Sequence, residues 1–118
     1  MNELQALGAF GALSQETRLR IVRMLVVAGA RGLSAGAIAE AAEVSPSSAS
    51  FHLKELERVG LVFAKREARS IVYTASYEAL GGLVRFLMED CCRGHPEICA
   101  PALSAATTCT PERQDNPE

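Results

Sequence analysis

Most of what would mark a membrane protein, a secreted protein or a two-domain enzyme is missing from this 118-residue chain. No uninterrupted apolar run approaches the roughly 20 residues of a membrane-spanning helix. The first ten residues lack the basic segment and apolar stretch of a secretory signal, so a cytoplasmic location is expected, with no membrane partner. Tryptophan is absent and aromatic residues make up only 5%, against 48% hydrophobic and 22% charged residues. That usage fits one compact domain, and the length excludes two full catalytic domains. A core of this size gains stability readily from a second subunit, so a homodimer is expected. No nucleophile stands with a base and an orienting partner, and no glycine-rich loop suits a phosphate, so no enzymatic activity is expected.

An excess of positive charge is also lacking: 12 Lys and Arg face 14 Asp and Glu, a formal charge of -2. Taken alone this argues against a nucleic-acid partner, but the charges are unevenly placed. Residues 45 to 70 carry five basic and three acidic side chains, whereas residues 71 to 118 carry three basic and seven acidic. Attraction to phosphate depends on where charge sits, and the middle of the chain is its only net-positive stretch. Cysteine is absent from the first 90 residues; Cys91, Cys92, Cys99 and Cys109 cluster in the last third. In a reducing compartment such a cluster is more often a ligand set or a redox switch than a disulfide scaffold.

The pattern of what is present predicts a mainly α domain with one β-hairpin. Leu4, Leu7 and Phe10 recur at helical spacing and suggest a first helix over residues 3 to 12. Ser14 offers a cap to a second helix, with Leu19, Val22, Leu25 and Val26 as its apolar face and an end before Gly29. Residues 28 to 33 read as a turn, after which Ser34 caps a short helix with Ile38, Ala41 and Ala42 turned inward. Ser45 and Pro46 start the next helix, whose apolar stripe is Ala49, Leu53 and Leu56 and whose stop is Gly60. Leu61 to Ala75 reads as a hairpin with a basic tip at Lys65 to Arg69. Ser76 caps a last helix with a wide apolar face, Leu80, Leu83, Val84, Leu87, Met88 and Cys91, closed by Gly94 and Pro96. Residues 1 to 99 are therefore expected to form the domain, and the periodicity-free residues 100 to 118 a flexible tail.

A short helix, a tight turn, a hydroxyl-rich capped helix and a basic hairpin make the outline of a winged helix-turn-helix. A helix fits the major groove of B-DNA, where its first side chains meet base edges and its free N–H groups can hold a phosphate. On this reading Ser47, Ser48, Ser50 and His52 face bases or phosphates, Lys54 faces the backbone, and Lys65, Arg66 and Arg69 reach flanking phosphates. By pattern alone, the same residues also describe a helix start that caps itself beside a solvated charged turn.

Two stretches bear on that choice: Ala12-Leu-Ser-Gln-Glu-Thr-Arg-Leu-Arg-Ile21, and Val44-Ser-Pro-Ser-Ser-Ala-Ser-Phe-His-Leu-Lys-Glu-Leu56 followed by Gly60-Leu-Val62. Over roughly residues 8 to 90 the chain resembles the ArsR/SmtB family of bacterial metal-responsive repressors. The resemblance implies a homodimeric winged helix-turn-helix whose first and last helices form the interface and whose two reading helices sit on palindromic double-stranded operator DNA. It departs at position 68, where Ala stands in place of the family's common Gly; a left-handed backbone there would cost about 1 kcal/mol.

The inducer expected from the resemblance follows from where the ligands lie. The helix before the reading helix, residues 34 to 42, has no cysteine, unlike the best-known arsenic sensors of the family. Glu89, Asp90 and a single His95 are a poor set for zinc. Instead Cys91-Cys92-Arg-Gly-His-Pro-Glu-Ile-Cys99 resembles a subset of arsenical repressors with a vicinal pair and a third cysteine downstream. Trivalent arsenic and antimony are thiophilic and form three bonds, so Cys91, Cys92 and Cys99 are the expected ligands of arsenite or antimonite. Three other readings stay open: small buried side chains, a redox switch pairing Cys91 or Cys92 with Cys99, and a zinc sensor of the same fold. Cys109 reads as a free thiol and His95 as a surface or capping residue.

Overall fold

The computed structural model describes residues 1–89. They comprise one compact unit, Met1–Leu83, and the beginning of a second that starts at Val84. The order is α1 (Glu3–Leu13), α2 (Glu16–Ala28), a single 3-10 turn (Gly29–Arg31), β1 (Leu33–Ser34), α3 (Ala35–Ala42), α4 (Pro46–Arg58), β2 (Val62–Glu67), β3 (Ser70–Ala75) and α5 (Tyr77–Met88). The strands form an antiparallel sheet in the order β1-β3-β2. This is the expected winged helix-turn-helix. The expected boundary after residue 99, the stop signals Gly94 and Pro96, and Cys91 lie outside the described residues.

Local chemistry explains the element starts. Asn2 and Gln5 form a reciprocal capping box on α1, with distances of 2.8 and 2.9 Å, which satisfies two of the helix's orphan N–H groups. Ser34, Ser45 and Ser76 accept from Ala37 N, Ser48 N and Ala79 N, each at 3.1 Å. The cap of α2 corrects the sequence expectation: it is Gln15, which accepts from Arg18 N at 2.8 Å. Ser14 is engaged elsewhere: its hydroxyl donates to Gly11 O at 2.7 Å and closes α1. Arg18 then donates from Nε to Ala12 O at 2.9 Å, placing a cation on the carbonyl end of α1.

The core lies where α2, α3 and α4 meet the sheet. Ile21, Leu25, Ile38, Leu53, Leu56, Leu61 and Val62 are fully buried, and each contributes about 1.5–3 kcal/mol. In α4 the inward stripe is Ala49, Leu53 and Leu56, as the spacing predicts. Two other faces differ from expectation. In α2 the buried set is Ile21, Val22 and Leu25, with Leu19 and Val26 exposed; outside the Glu16, Arg20 and Arg23 side, apolar residues spread over more than half of the helix circumference, so periodicity does not select which of them turn inward. In α3 Ala39 is buried rather than Ala41, because equal-sized alanines leave the rotation of the helix unspecified.

α3 and α4 are joined by three residues. Glu43 takes the left-handed conformation, φ 59° and ψ 46°, and Val44 N donates back to Ala39 O at 3.1 Å. At the other end of α4, Gly60 has φ 84°, while Gly60 N and Leu61 N donate to Glu57 O and Leu56 O at 3.0 and 2.9 Å. Those two bonds are a Schellman closure, which demands a left-handed residue and so selects glycine. The segment after α2 holds more than the expected turn, since Leu33 and Ser34 pair with Tyr73 and Val72 of β3. Tyr77 at the start of α5 donates its hydroxyl to Val26 O at 2.8 Å, tying α5 to the end of α2.

The hairpin is in the register Val62↔Ala75 to Glu67↔Ser70, with Ala68 and Arg69 as the two turn residues. Ala68 has φ 55°, the left-handed geometry foreseen for this position. Its Cβ makes that conformation cost about 1 kcal/mol relative to glycine.

Candidate nucleic-acid interface

At about 100° per residue, Ala49, Leu53 and Leu56 fix the inward direction of α4 and thereby its outward one. Ser47, Phe51, Lys54 and Arg58 lie opposite the core, and Ser47, Phe51 and Lys54 are all exposed. Ser48 and Ser50 fall on the two flanks and are half-buried. His52 is turned furthest inward of the predicted contacts. Its Nδ1 is sealed from solvent and has no hydrogen-bond partner, which leaves Nε2 as the ring atom able to serve an outside group.

Electrostatics divide the same residues. Burial first, and the Arg18 cation second, hold the His52 imidazolium pKa below its ordinary value of 6.5. Neutral His52 is therefore the form the fold prefers. Its stabilising effect is present above pH 6.5 and is lost as the pH falls through the lowered value. Stability measured by urea unfolding should thus fall more steeply between pH 7.5 and pH 5.5 in the wild type than in His52→Gln; equal slopes would contradict the placement of His52. Glu55 would put a carboxylate near DNA, but Arg58 donates to its Oε1 from Nη2 at 2.9 Å and from Nε at 3.3 Å. That bond holds the Glu55 carboxyl below its usual range and screens its charge with a neighbouring cation.

The wing separates its three basic residues. Cross-strand partners share a face, so Arg66 opposite Ile71 lies on the same side as the buried Tyr73, while Lys65 opposite Val72 lies on the other. Arg69 sits in the turn itself. Lys65 Nζ is 3.6 Å from Glu67 Oε2, both side chains being well exposed; such a pair is weak and leaves the lysine available.

Two exposed aromatics on α4 and the wing escaped the sequence reading. Phe51, on α4, is 60% exposed and meets the His52 ring edge-on with centroids 5.5 Å apart. Phe63, on the wing, is 58% exposed. The signal for Phe51 was available: it lies four residues after Ser47 and outside the Ala49, Leu53, Leu56 stripe. Cys91, Cys92 and Cys99 lie outside the described residues. Among the described residues, no three His, Cys, Asp or Glu side chains are grouped to hold a metal ion, and no helix is long and apolar enough to cross a membrane.

Comparison with known proteins bears directly on this arrangement. A family described as a helix-turn-helix domain matches residues 13–62. The transcriptional activator HlyU of Vibrio cholerae is 32% identical over 94 residues, which cover 80% of this chain and 84% of HlyU. The chain belongs to the ArsR-like winged helix-turn-helix transcriptional regulators. An ArsR-like transcriptional regulator from Rhodococcus superposes with a TM-score of 0.68 at 29% identity, covering 86% of this chain and 93% of that one. The structure of reduced HlyU gives a TM-score of 0.59 at 34% identity, covering 75% and 90%. A homodimeric winged helix-turn-helix DNA-binding domain from Mycobacterium bovis, a possible ArsR-family regulator, gives 0.58 at 30% identity, covering 73% and 80%. The chain is also 39% identical over 61 residues to the Bacillus subtilis helix-turn-helix regulator YceK, and it spans 60% of YceK's length. As an ArsR-like regulator it is a DNA-binding protein by family, and the helix-turn-helix match covers α2, α3 and α4.

Proposed function

We propose that this regulator is an arsenite- and antimonite-responsive repressor that grips operator DNA as an apo homodimer and lets go when trivalent arsenic binds Cys91, Cys92 and Cys99. The observation that carries the reading is the distribution of thiols: none in the first 90 residues, and four within positions 91 to 109, directly after α5. Arsenite needs three sulfur ligands and no fourth. Its three hydroxides leave as water with the three thiol protons, so binding involves no change of oxidation state.

Two copies of α4 would read half-sites about one helical turn apart. Apolar side chains left in water support the dimer: Leu4 and Leu7 on α1 are 80% and 64% exposed, and Val84 and Leu87 on α5 are also exposed. The homodimeric Mycobacterium bovis relative is consistent with it. Cys91 and Cys92 are neighbours, and on a helix neighbours point about 100° apart. One arsenic atom therefore cannot be held by both in helical geometry, and the ordering of Cys91 and Cys92 around it, next in sequence to α5, is the proposed coupling to DNA.

A second reading is favoured by one observation: a similar solved structure is described as reduced HlyU, which points to a thiol-based redox sensor. Zinc sensing by the same fold is the further alternative. HlyU is named an activator, so membership in the family does not fix the sign of regulation. The deciding experiment adds arsenite, peroxide or zinc separately to the protein bound to its own upstream duplex at fixed salt and under reducing conditions, except for the peroxide arm. Release by stoichiometric arsenite alone is expected; release by peroxide or zinc alone would overturn the arsenic reading in favour of the corresponding sensor.

A further inference from the structure

We infer that Phe51 is a specificity-determining residue of this regulator, reading the 5-methyl group of a thymine in each operator half-site. The inference rests on the proposal that α4 enters the major groove. Phe51 is the sixth residue of α4, inside the N-terminal half that reaches base edges in helix-turn-helix docking. It stands opposite the Ala49, Leu53, Leu56 stripe, with Ser47 one turn before it and Lys54 nearly one turn after it. A ring 60% exposed at the centre of an otherwise polar face has no core to fill. Its only ring contact among the described residues is edge-on with His52, a neighbour whose Nδ1 is itself turned away from solvent.

In the major groove the four base pairs differ in their donors and acceptors, and thymine alone adds an apolar group, its C5-methyl. A phenyl ring carries neither donor nor acceptor, so it cannot choose among amide, amino and carbonyl edges; it can choose a methyl over bare hydrogen. The surrounding groups assign the remaining tasks. Ser47 and Ser50 supply hydroxyls for edges or phosphates, Lys54 supplies charge, and Glu55 is engaged by Arg58 at 2.9 Å, which keeps its carboxylate from competing for the groove. The His52 ring, with its centroid 5.5 Å away and its plane inclined 67° to the phenyl ring, limits the directions in which the phenyl group can swing.

The test begins with selection of binding sites by the wild-type protein from a random duplex library. Each thymine of the selected half-site is then replaced singly by deoxyuridine, which removes the methyl and leaves the base-pairing edge intact. At one thymine per half-site the substitution should weaken wild-type binding about fourfold, the change that burying one methyl-sized group produces. Phe51→Ala should bind the thymine and deoxyuridine duplexes within 1.5-fold of each other. Phe51→Leu should retain part of the discrimination, and Lys54→Ala should weaken both duplexes while keeping the fourfold ratio. Because Phe51 lies outside the core, thermal unfolding of the variants should match the wild type. If the wild type binds its selected site but no deoxyuridine substitution changes affinity, or if Phe51→Ala keeps the same discrimination, the inference is overturned while the DNA-reading role of α4 stands. If the wild type enriches no sequence at all, the DNA-reading role falls and Phe51 with it.

Discussion

Gly32→Ala is expected to lower stability by about 3 kcal/mol or more, the sum of ~1–3 kcal/mol for a positive-φ, extended-ψ backbone that glycine almost alone adopts and an overpacking cost of ~1–3 kcal/mol. Gly32 has φ +67°, and a Cβ built on it would lie 2.7 Å from Thr74 Cγ2 and 2.8 Å from Val72 Cγ1. It would also press on the Tyr73 carbonyl. All three obstacles belong to β3, which carries the hairpin and pairs with β1 immediately after Gly32. The side-chain contacts could shift, but the carbonyl is backbone in the middle of a sheet. For a domain of this size the loss corresponds to a fall in Tm of more than about 10 °C. Thermal unfolding of the variant measures it directly. A change within ~0.5 kcal/mol, the range of an ordinary surface substitution, would mean that the chain does not pass β3 as described.

The second large effect concerns the inducer. Cys99→Ser should leave operator affinity unchanged in the absence of arsenite and raise the arsenite needed for release by about 100-fold or more. Removing even an outer-shell partner of a bound ion typically costs 10–100-fold in affinity, and here one of three bonding sulfurs would be lost. Cys109→Ser, which alters the thiol read as free, should change nothing. Should Cys99→Ser release at the wild-type arsenite concentration, Cys99 is not a ligand. Cys109 would then be the next third sulfur to substitute.

Much of the fold could be read from the sequence, and the particular misreadings share a physical origin. α4 was legible residue by residue: Ser45 as cap, Pro46 at the first position, Ala49, Leu53 and Leu56 inward, Gly60 at the stop. There the local signals agree with one another and with a strongly two-sided composition. α2 was legible as a helix but not in its rotation, because Leu19 and Val26 are as apolar as Ile21. Tertiary packing alone chose between them. The two-residue strand β1 has no periodicity of its own and exists through its pairing with β3, which no local pattern encodes. The cap of α2 was misread because Ser14 had a competing use at the end of α1.

The candidate interface was legible in outline and not in aim. Ser47 and Lys54 are exposed on the outward face of α4. His52 was named as a contact by residue type, yet its position nearer the core stripe buries Nδ1. The wing's Lys65, Arg66 and Arg69 were grouped by proximity in sequence, whereas strand alternation sends the first two to opposite faces. Phe51 was passed over because contacts were chosen among polar side chains, although the Ala49, Leu53, Leu56 stripe already leaves Phe51 outside the core. The thiols, which lie outside the described residues, were legible as a sequence pattern alone.

The most direct test of α4 as the DNA-reading element is the equilibrium affinity of Ser47→Ala/Lys54→Ala for the wild-type operator, measured across a salt series. Both side chains are exposed, so folding should be intact by thermal unfolding. A lost base contact costs ~1–3 kcal/mol and a lost phosphate contact lowers the salt slope by about one. With both half-sites affected, affinity should fall by about 30-fold or more and the slope should flatten. Unchanged affinity and an unchanged slope in a folded variant would place the DNA contact elsewhere on the molecule and contradict the assignment.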